Sequence, residues 1–538
     1  MRIRNIFLIV LCSLILPGGI LDSARLFAQE RDSAWWDAGY IYHSNAWLSS
    51  HSITGLSYMP VTKLSNATLS FHKVKGPFAN FHESDNSERI TAASNSVYRL
   101  NPHVVMEGQV QYEHFYGRNM NGSALINPYR NPVDIDEFAD SNRGNKKLER
   151  YFLTATVSAQ VHPRWTVGGR IAYEAANFAK LKDLRHVNSL TDLNTEAEVS
   201  RTIRKGTRIG ASYGYHRRIE SVKFETQGNT DRQYVSLINF GSFYGLAELF
   251  SDHGYTSEVR PLVNITHTAS LHAGMRLSPS ITWYNRIYYS ARHGYYGEKG
   301  TTSIVFTEHT APLYGYEGSL SWQKGTTLHS FTLKGSYETL ANKENVYRSE
   351  TSPAGNQVIV YYGKKDLLSQ DITQLTLEYT AFLKVANNSS LWTIKGGAGY
   401  EDRQQTTIRY PFFRKQQLTG YRVYAAGERH IIKGNNRYSF SLSAGYGGGS
   451  GTPQHDGLYI PPASGQTPPA SGDLYLYREY EYLTKPRVQF GPALQYAYKA
   501  DSRVAPYLRL AYTYTKAFDV SYTGHYRHSV LVTAGCNF

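Results

Sequence analysis

Cysteine is almost absent from this 538-residue chain, which contains only Cys12 and Cys536. Cys12 lies in an apolar N-terminal stretch that we expect to be removed, so the mature chain would keep one cysteine. A single cysteine makes no internal disulfide and no cysteine-based zinc site. Neither a disulfide framework nor a zinc ribbon is therefore expected.

Long hydrophobic runs are missing beyond the N-terminus. Residues 1–28 resemble a secretory signal peptide, because Arg2 and Arg4 precede an apolar run from Ile6 to Leu16 that is too short to span a bilayer as a helix. We place the cleavage site after Ala28. No later segment predicts a transmembrane helix, so we expect an exported protein without a helical anchor.

Runs of like charge are absent as well, although the formal net charge is +14. A basic balance can indicate nucleic acid or an anionic membrane surface. Here Lys and Arg are scattered along the whole chain, and we expect no nucleic-acid partner.

Aromatic residues, in contrast, are abundant, and 44 residues are tyrosine. Tyrosine is favoured where one end of a side chain is apolar and the other is wet, as at a membrane interface. Long segments alternate between apolar and polar residues. From Tyr151 to Val161, for example, the odd positions are apolar and the even positions are mostly polar. This period of two predicts strands with one apolar face.

The predicted strands run about 10–15 residues, whereas crossing a bilayer takes about 9–11 residues. Short turns alternate along the chain with long polar connections. The turns lie near 101–102, 162–163, 205–206, 278–279, 324–325, 387–388, 434–435 and 500–501, and the connections near 74–90, 117–147, 178–188, 220–261, 293–310, 341–368, 404–415, 449–478 and 518–525. Short periplasmic turns and long extracellular loops are typical of outer-membrane barrels, so we predict an all-β, transmembrane, antiparallel β-barrel of about 18 strands, within a range of about 14 to 20.

Phe538 ends the chain on an alternating segment that it shares with Cys536, Ala534 and Val532. A final strand that ends in an aromatic residue resembles the signal read by the bacterial barrel-insertion machinery. We therefore predict Phe538 as a C-terminal insertion signal and the outer membrane of a Gram-negative bacterium as the location.

Charged residues lie on the polar faces of the predicted strands. An Arg or Lys that faced lipid at the bilayer midplane would cost about 2–4 kcal/mol, so these residues must point inward. The lumen-facing candidates are Arg170, Glu174, Arg208, Arg286, Lys334, Glu338, Lys395 and Arg509. They indicate either a wet lumen or ion pairs that bridge a constriction; a plugged, non-conducting interior is the alternative.

The predicted organisation is a signal peptide (1–28), an N-terminal segment (29–50) and the barrel (51–538). Residues 29–50 are rich in aromatics, including Trp35-Trp36. This segment could fold into the lumen and occlude it, or lie along the rim.

The sequence contains no complete motif for catalysis or metal binding. The acidic stretch from Asp134 to Asp140 has Ala139 and Asn145 where a calcium-binding EF-hand needs Gly and Glu, so we expect a solvated acidic loop, with an irregular calcium site as the less favoured alternative. The repeat of Pro-Pro-Ala-Ser-Gly at 461–465 and 468–472 is expected to form an exposed loop rather than ladder strands. We expect no cofactor and no enzymatic activity.

Three short motifs resemble a family of outer-membrane barrels from Bacteroidota that is known as a domain of unknown function. They are Asn127-Pro128-Tyr129-Arg130-Asn131-Pro132 with Asp136, then Trp165-Thr166-Val167-Gly168, then Lys180-Leu181-Lys182-Asp183-Leu184-Arg185. In the last motif Leu184 stands where the family usually has proline. The resemblance implies an exported barrel and supplies no activity. A TonB-dependent receptor is not expected, because a separate plug domain is missing.

These features favour a channel or transporter for small solutes. The alternative is a non-conducting surface barrel for adhesion or assembly, which would act through its extracellular loops; a barrel enzyme is less favoured. The expected partners are outer-membrane lipid, lipopolysaccharide and, during biogenesis, the barrel-assembly machinery, while the sequence names no cargo.

Overall fold

The computed structural model describes residues 34–129, 131–137, 142–228, 231–251, 254–501 and 503–538. The expected signal peptide, its cleavage site, Arg130 and Asp140 lie outside the described residues. The strands are β1 (Lys63–Lys75), β2 (Asn86–Asn101), β3 (Val104–Met120), β4 (Asp134–Glu137), β5 (Gly144–His162), β6 (Trp165–Lys180), β7 (Arg185–Arg204), β8 (Thr207–Glu225), β9 (Val235–Asn239), β10 (Tyr244–Leu249), β11 (Val259–Ser278), β12 (Ile281–Gly297), β13 (Val305–Lys324), β14 (Thr327–Thr351), β15 (Gln357–Leu383), β16 (Trp392–Arg409), β17 (Phe412–Lys433), β18 (Asn436–Leu458), β19 (Ala470–Ser471), β20 (Arg487–Tyr498), β21 (Ala505–Ala517) and β22 (Tyr526–Asn537). The helices are α1 (Ala38–His43), a short 3-10 helix (Thr54–Tyr58) and α2 (Asp473–Thr484).

Eighteen of these strands form one closed antiparallel barrel. Each barrel strand pairs with the next one along the chain, and the last strand, β22, pairs with β1 so that Asn66 faces Asn537. Closure pairs the backbone groups of every strand, which a sheet in hydrocarbon requires. The predicted all-β barrel of about 18 strands is confirmed.

The outer face of the barrel is apolar and the inner face is polar. On β6, for example, Val167, Ile171 and Tyr173 are exposed on the outside, whereas Arg170 and Glu174 alternate with them on the inside. An apolar belt of this extent around a monomer would be unfavourable in water, and lipid is the solvent that it matches. The protein is therefore an outer-membrane barrel.

The extracellular loops differ from the prediction in where they begin and end. Strands β14 and β15 continue through most of the expected loop 341–368, and β18 continues to Leu458, well into the expected loop 449–478. Among the described residues, the strand ladders of β13 and β16 do not reach residues 345–351 and 357–367, because β13 ends its pairing at Glu344 and β16 begins it at Leu368. Alternation in the sequence marks a strand but does not show where a strand leaves the membrane.

Three long loops meet to form a second, four-stranded sheet in the order β19-β10-β9-β4. This sheet and α2 are called the loop cap below. Two expectations are wrong here. The second Pro-Pro-Ala-Ser-Gly copy does form a ladder, because Ala470 and Ser471, which follow the prolines and keep their amides, pair with Gly245 and Tyr244. The acidic stretch is not solvated, since Asp134 and Asp136 lie buried on β4, paired with β9.

Residues 34–62, called the lumenal segment below, contact the inner face of the barrel near its short turns. Asp37 caps α1 by accepting a hydrogen bond from the Tyr40 amide, and the Asp37 amide donates to the carbonyl of Asn388 in a short turn. Ile41, Leu48, Leu56, Met59 and Val61 form an apolar cluster with Val97 and Val105 of the barrel. None of the helices in the described ranges is long and apolar enough to cross a membrane.

Candidate functional site

A polar chamber of about 500 Å³ lies inside the barrel beside the lumenal segment. Strands β7, β8 and β11 to β14 build its wall, and the lumenal segment contributes Ser49, Ser50 and His51. The ionisable side chains that line it are His51, Glu196, His216, Arg286, Glu317 and Lys334. Groups of both charge signs thus meet in one chamber.

Most charges around the chamber are paired with a neighbour. Glu196 lies 3.1 Å from His51 Nε2 and accepts a 2.9 Å hydrogen bond from Ser212, while the Arg286 guanidinium lies 3.9 Å from Glu317 and donates to Ser270. Lys334 is exposed to the chamber and has no hydrogen bond or ion pair within the described part of the chain. A solute that enters the chamber therefore meets an ammonium group that is not ion-paired, because its register partner Glu317 lies 3.9 Å from Arg286.

A buried carboxylate holds the lumenal segment next to the chamber. Glu198 accepts hydrogen bonds of 2.6 Å from Ser52 Oγ, 2.6 Å from the Ile53 amide and 2.7 Å from Thr54 Oγ1. These donors lie at the start of the 3-10 helix, where free backbone amides favour negative charge. Arg208 adds a hydrogen bond to the Thr54 carbonyl, and its guanidinium lies 5.0 Å from the Tyr58 ring centroid.

A layer of ion pairs separates the chamber from the loop cap. Arg292 lies 3.2 Å from Glu338, and Arg218 lies 3.1 Å from Asp192 and 3.6 Å from Glu220. Glu220 in turn accepts a 2.7 Å hydrogen bond from the amide of Ile126 at the base of the cap.

The loop cap has an apolar core and a polar rim. Its largest cluster of buried residues includes Ile135, Ile238 and Phe240. At the rim, Arg403 of the barrel donates to both carboxylate oxygens of Glu479 on α2, at 3.2 and 2.8 Å. A bidentate ion pair of this kind is among the strongest interactions that charged side chains make.

Two carboxylates are buried in the cap sheet. Burial raises the pKa of Asp134 to about 6, although hydrogen bonds from Ser123 and the Ile135 amide and the Lys146 ammonium act in the opposite direction. Burial, and then the adjacent charge of Asp134, raise the pKa of Asp136 well above its ordinary value. Asp136, which belongs to one of the motifs that resemble the barrel family, therefore lies buried in the loop cap.

The eight lumen candidates do not form one site. Six of them make specific contacts: Arg170 with Glu196, Glu174 with Arg150, Arg208 with the lumenal segment, Arg286 with Glu317, Glu338 with Arg292, and Arg509 with Glu428. Lys334 lines the central chamber, and Lys395 lines a cavity of about 450 Å³ beside α1. Phe538 donates its amide to the Ser65 carbonyl at 3.0 Å, and its proposed role in insertion stays a prediction.

Sequence reasoning missed Glu196, Glu198, Glu317 and Arg422 as inward-facing groups. All four obey the same period of two as the residues that were chosen, so alternation could have found them. The contacts of the lumenal segment carry no such signal, because a serine or threonine gives no sign in sequence of the carboxylate that it meets.

No group of three or more His, Cys, Asp or Glu side chains that could hold a metal ion occurs within the residues described. The arrangement can bind, orient and screen a small polar solute through paired and unpaired charges.

The fold has distant likenesses among solved structures, which carry no functional argument. The ferric preacinetobactin receptor BauA from Acinetobacter baumannii is 8% identical, with 88% of this chain and 80% of that chain covered and a TM-score of 0.41. The pyoverdine-bound FpvA from P. aeruginosa is 7% identical, with coverage of 88% and 72% and a TM-score of 0.41. The ferric-catecholate import receptor Fiu from E. coli K12 is 9% identical, with coverage of 88% and 81% and a TM-score of 0.38.

No protein of curated function matches the sequence. A family-level comparison matches residues 53–538, which cover the whole barrel together with the end of the lumenal segment. The chain belongs to the family described as a family of unknown function (DUF6850).

Proposed function

We propose that the protein is a gated outer-membrane transporter for small polar solutes. The observation that carries this proposal is the polar chamber, which lies between the lumenal segment and the layer of ion pairs under the loop cap. A passive, permanently open channel is not favoured, because folded parts of the chain contact the inner wall near both ends.

The chamber suits a solute rather than a structural core. Its volume of about 500 Å³ falls within the range of about 300–1,000 Å³ that is typical of small-molecule sites. Its ionisable lining would be costly to bury without water or a polar guest. We assign no enzymatic activity to this arrangement.

Single-channel recording in a planar lipid bilayer tests the proposal. Glu198→Ala removes the acceptor for three hydrogen bonds of the lumenal segment, so we expect wild-type protein to conduct rarely and the variant to show frequent, larger steps. Glu149→Ala is the matched control, because Glu149 is an exposed carboxylate on the outer face of β5.

Folding of each variant is checked by heat-modifiable migration in gel electrophoresis before insertion. Silence from folded Glu198→Ala in every recording would remove the transport proposal. Large steady steps from wild-type protein would remove the gate and leave an open channel.

A second candidate, a surface-binding barrel, is favoured by the hairpin of β14 and β15. Beyond Glu344 and Leu368 its two strands have left the barrel ladder within the described residues, and Tyr347, Tyr361 and Tyr362 are exposed on it. If the protein is a surface-binding barrel, replacing residues 347–361 with a short turn would abolish the attachment of cells to a host cell or a neighbouring cell. Conductance would stay unchanged.

The expected partners remain part of this proposal. Lipopolysaccharide would surround the extracellular half, and the barrel-assembly machinery would read Phe538. A source among Bacteroidota likewise stays an expectation from the family resemblance.

A further inference from the structure

A row of basic residues crosses one wall of the lumen. Lys334 on β14 is the register partner of Thr376, which pairs with Gly399, which pairs with Arg422 on β17. The row continues through Gly447 to Arg487 on β20. We call Lys334, Arg422 and Arg487, with the three small residues between them, the basic row.

The small residues leave space for the cationic side chains. A Cβ atom added at Gly399 would lie 3.0 Å from Nε of Arg422, and one added at Gly447 would lie 3.1 Å from Nε of Arg487. The arginine side chains therefore extend sideways across the glycines and cover the wall. Adjacent strands are about 4.8 Å apart, so Lys334 and Arg422, three strands apart, lie on the order of 14 Å from each other.

Two members of the basic row lack counterions. Lys334 and Arg422 are exposed to the lumen and form no ion pair or hydrogen bond with any residue that the structure describes. Arg487 donates to the carbonyls of Tyr482 and Leu483 at the end of α2, so it positions the cap. Several other cations of the lumen form ion pairs, as Arg292 does with Glu338 and Arg286 with Glu317.

The acids that face this wall do not neutralise it. Glu317, the register partner of Lys334, lies 3.9 Å from Arg286. Glu401 accepts a 2.5 Å hydrogen bond from Gln374, and Glu378 accepts one from Tyr424. Within the described residues none of the three forms an ion pair with Lys334 or Arg422. The row lines two adjoining spaces: Lys334 faces the central chamber, and Arg422 with Arg487 face a cavity of about 440 Å³ below the end of α2.

We infer that the solute of this chamber is a small organic oxyanion that carries a carboxylate or phosphate group, with Arg422 and Lys334 as its contacts. A guanidinium presents a planar fork that matches either group, and an ammonium adds a second, movable donor. The spacing between the two favours a solute with two anionic groups, or one that passes from Arg422 to Lys334 in steps. This inference rests on the proposed transport function and names its substrate class.

Reversal potentials in a salt gradient test the inference, with Glu198→Ala as the conducting background. We expect this background to prefer chloride over potassium, and Lys334→Gln with Arg422→Gln to lower the preference by about threefold to tenfold. Arg429→Gln with Lys365→Gln is the charge-matched control, because Arg429 lies over Trp392 on the outer side of β17 and Lys365 lies on the extracellular hairpin.

Binding to folded protein in detergent gives a readout that does not require conduction. Thermal shifts are measured with succinate, inorganic phosphate and glucose at constant ionic strength. Stabilisation by succinate alone assigns a carboxylate solute, and stabilisation by phosphate alone assigns a phosphate ester; either must be lost in the Lys334→Gln, Arg422→Gln variant.

The possible failures are distinguishable. Conduction with a preference for potassium, or stabilisation by glucose only, would overturn the oxyanion inference while transport stands. An absence of conductance in all variants would overturn transport itself. In that case, stabilisation by an anion that the double variant lacks would still support a binding site at the basic row. No stabilisation by either anion would overturn that site as well.

Discussion

The lumenal segment and the loop cap are held in the barrel by different means. The lumenal segment has backbone hydrogen bonds to the barrel at Asp37 and Thr62, near its two ends, and between them it relies on side-chain contacts such as those of Glu198. The loop cap has its own backbone ladder, an apolar core around Ile238 and a two-point ion pair at Glu479.

This difference indicates which of the two, the lumenal segment or the loop cap, is displaced at the lower cost in free energy. Displacing the lumenal segment breaks polar contacts that water can replace once the segment leaves. It also exposes the apolar cluster that the segment forms with Val97 and Val105, but that cluster has seven buried residues against fourteen in the largest cluster of the cap. Displacing the cap exposes an apolar core or requires the whole sheet to move as one body. We therefore expect the lumenal segment to be displaced first, while the cap stays folded and selects the substrate.

The largest expected effect comes from breaking the ion pair at the rim of the cap. Arg403→Ala leaves the buried Glu479 carboxylate without its partner, and removal of one member of a buried pair costs about 3–5 kcal/mol. We expect faster hydrogen exchange at the amides of Leu237 and Ile238 in the cap, with little change at Ser52 to Thr54.

The double variant Arg403→Ala, Glu479→Ala is the control, because it removes both charges and should restore part of the protection. Equal acceleration in the cap and in the lumenal segment would show that the two closures open together, and would contradict the separation argued above.

A smaller effect is expected at the lumenal segment. Thr54→Ala removes one of the three hydrogen bonds to Glu198, and a hydrogen bond to a charged group contributes about 1.5–3 kcal/mol. We expect more frequent channel steps in the bilayer and unchanged exchange in the cap. Ser44→Ala is the matched control, since Ser44 Oγ donates to the Ile41 carbonyl within the lumenal segment itself. Identical opening rates in the two variants would contradict the role of Glu198 as the anchor.

The barrel was predictable from sequence because its rules are local. Tyr151 to Val161 alternates in period two, and each such segment is followed by a turn or a loop, which is enough to count strands. The same rule places Arg170 and Lys334 on the inner face. The rule fails where a strand leaves the membrane, as β14 and β15 do.

The cap and the chamber could not be predicted in this way, because they depend on contacts between residues far apart in sequence. Strand β19 has two residues and pairs with β10, more than 200 positions earlier, and no local pattern encodes that pairing. Asp136 is buried only because three loops converge above it, so its acidic neighbours read as solvated in the sequence. The contact between Thr54 and Glu198 spans 144 positions.

The smallest expected effect is a pH dependence confined to the cap. The raised pKa of Asp134, about 6, means that the folded cap binds a proton more tightly than the opened loop, whose aspartate titrates near its usual value of about 3.9. The resulting stabilisation is therefore present below about pH 4 and is lost as the pH rises to about 6. We expect exchange at Leu237 and Ile238, after correction for the intrinsic rate, to be slower at pH 5 than at pH 7, with a factor of about ten from Asp134 and a further contribution of the same sign from Asp136. Asp134→Asn keeps an acceptor for Ser123 and the Ile135 amide but cannot ionise, so it should flatten this slope and leave only the contribution of Asp136. A slope of opposite sign would mean that the Lys146 ammonium outweighs burial, and that the cap is held by charge rather than by its apolar core.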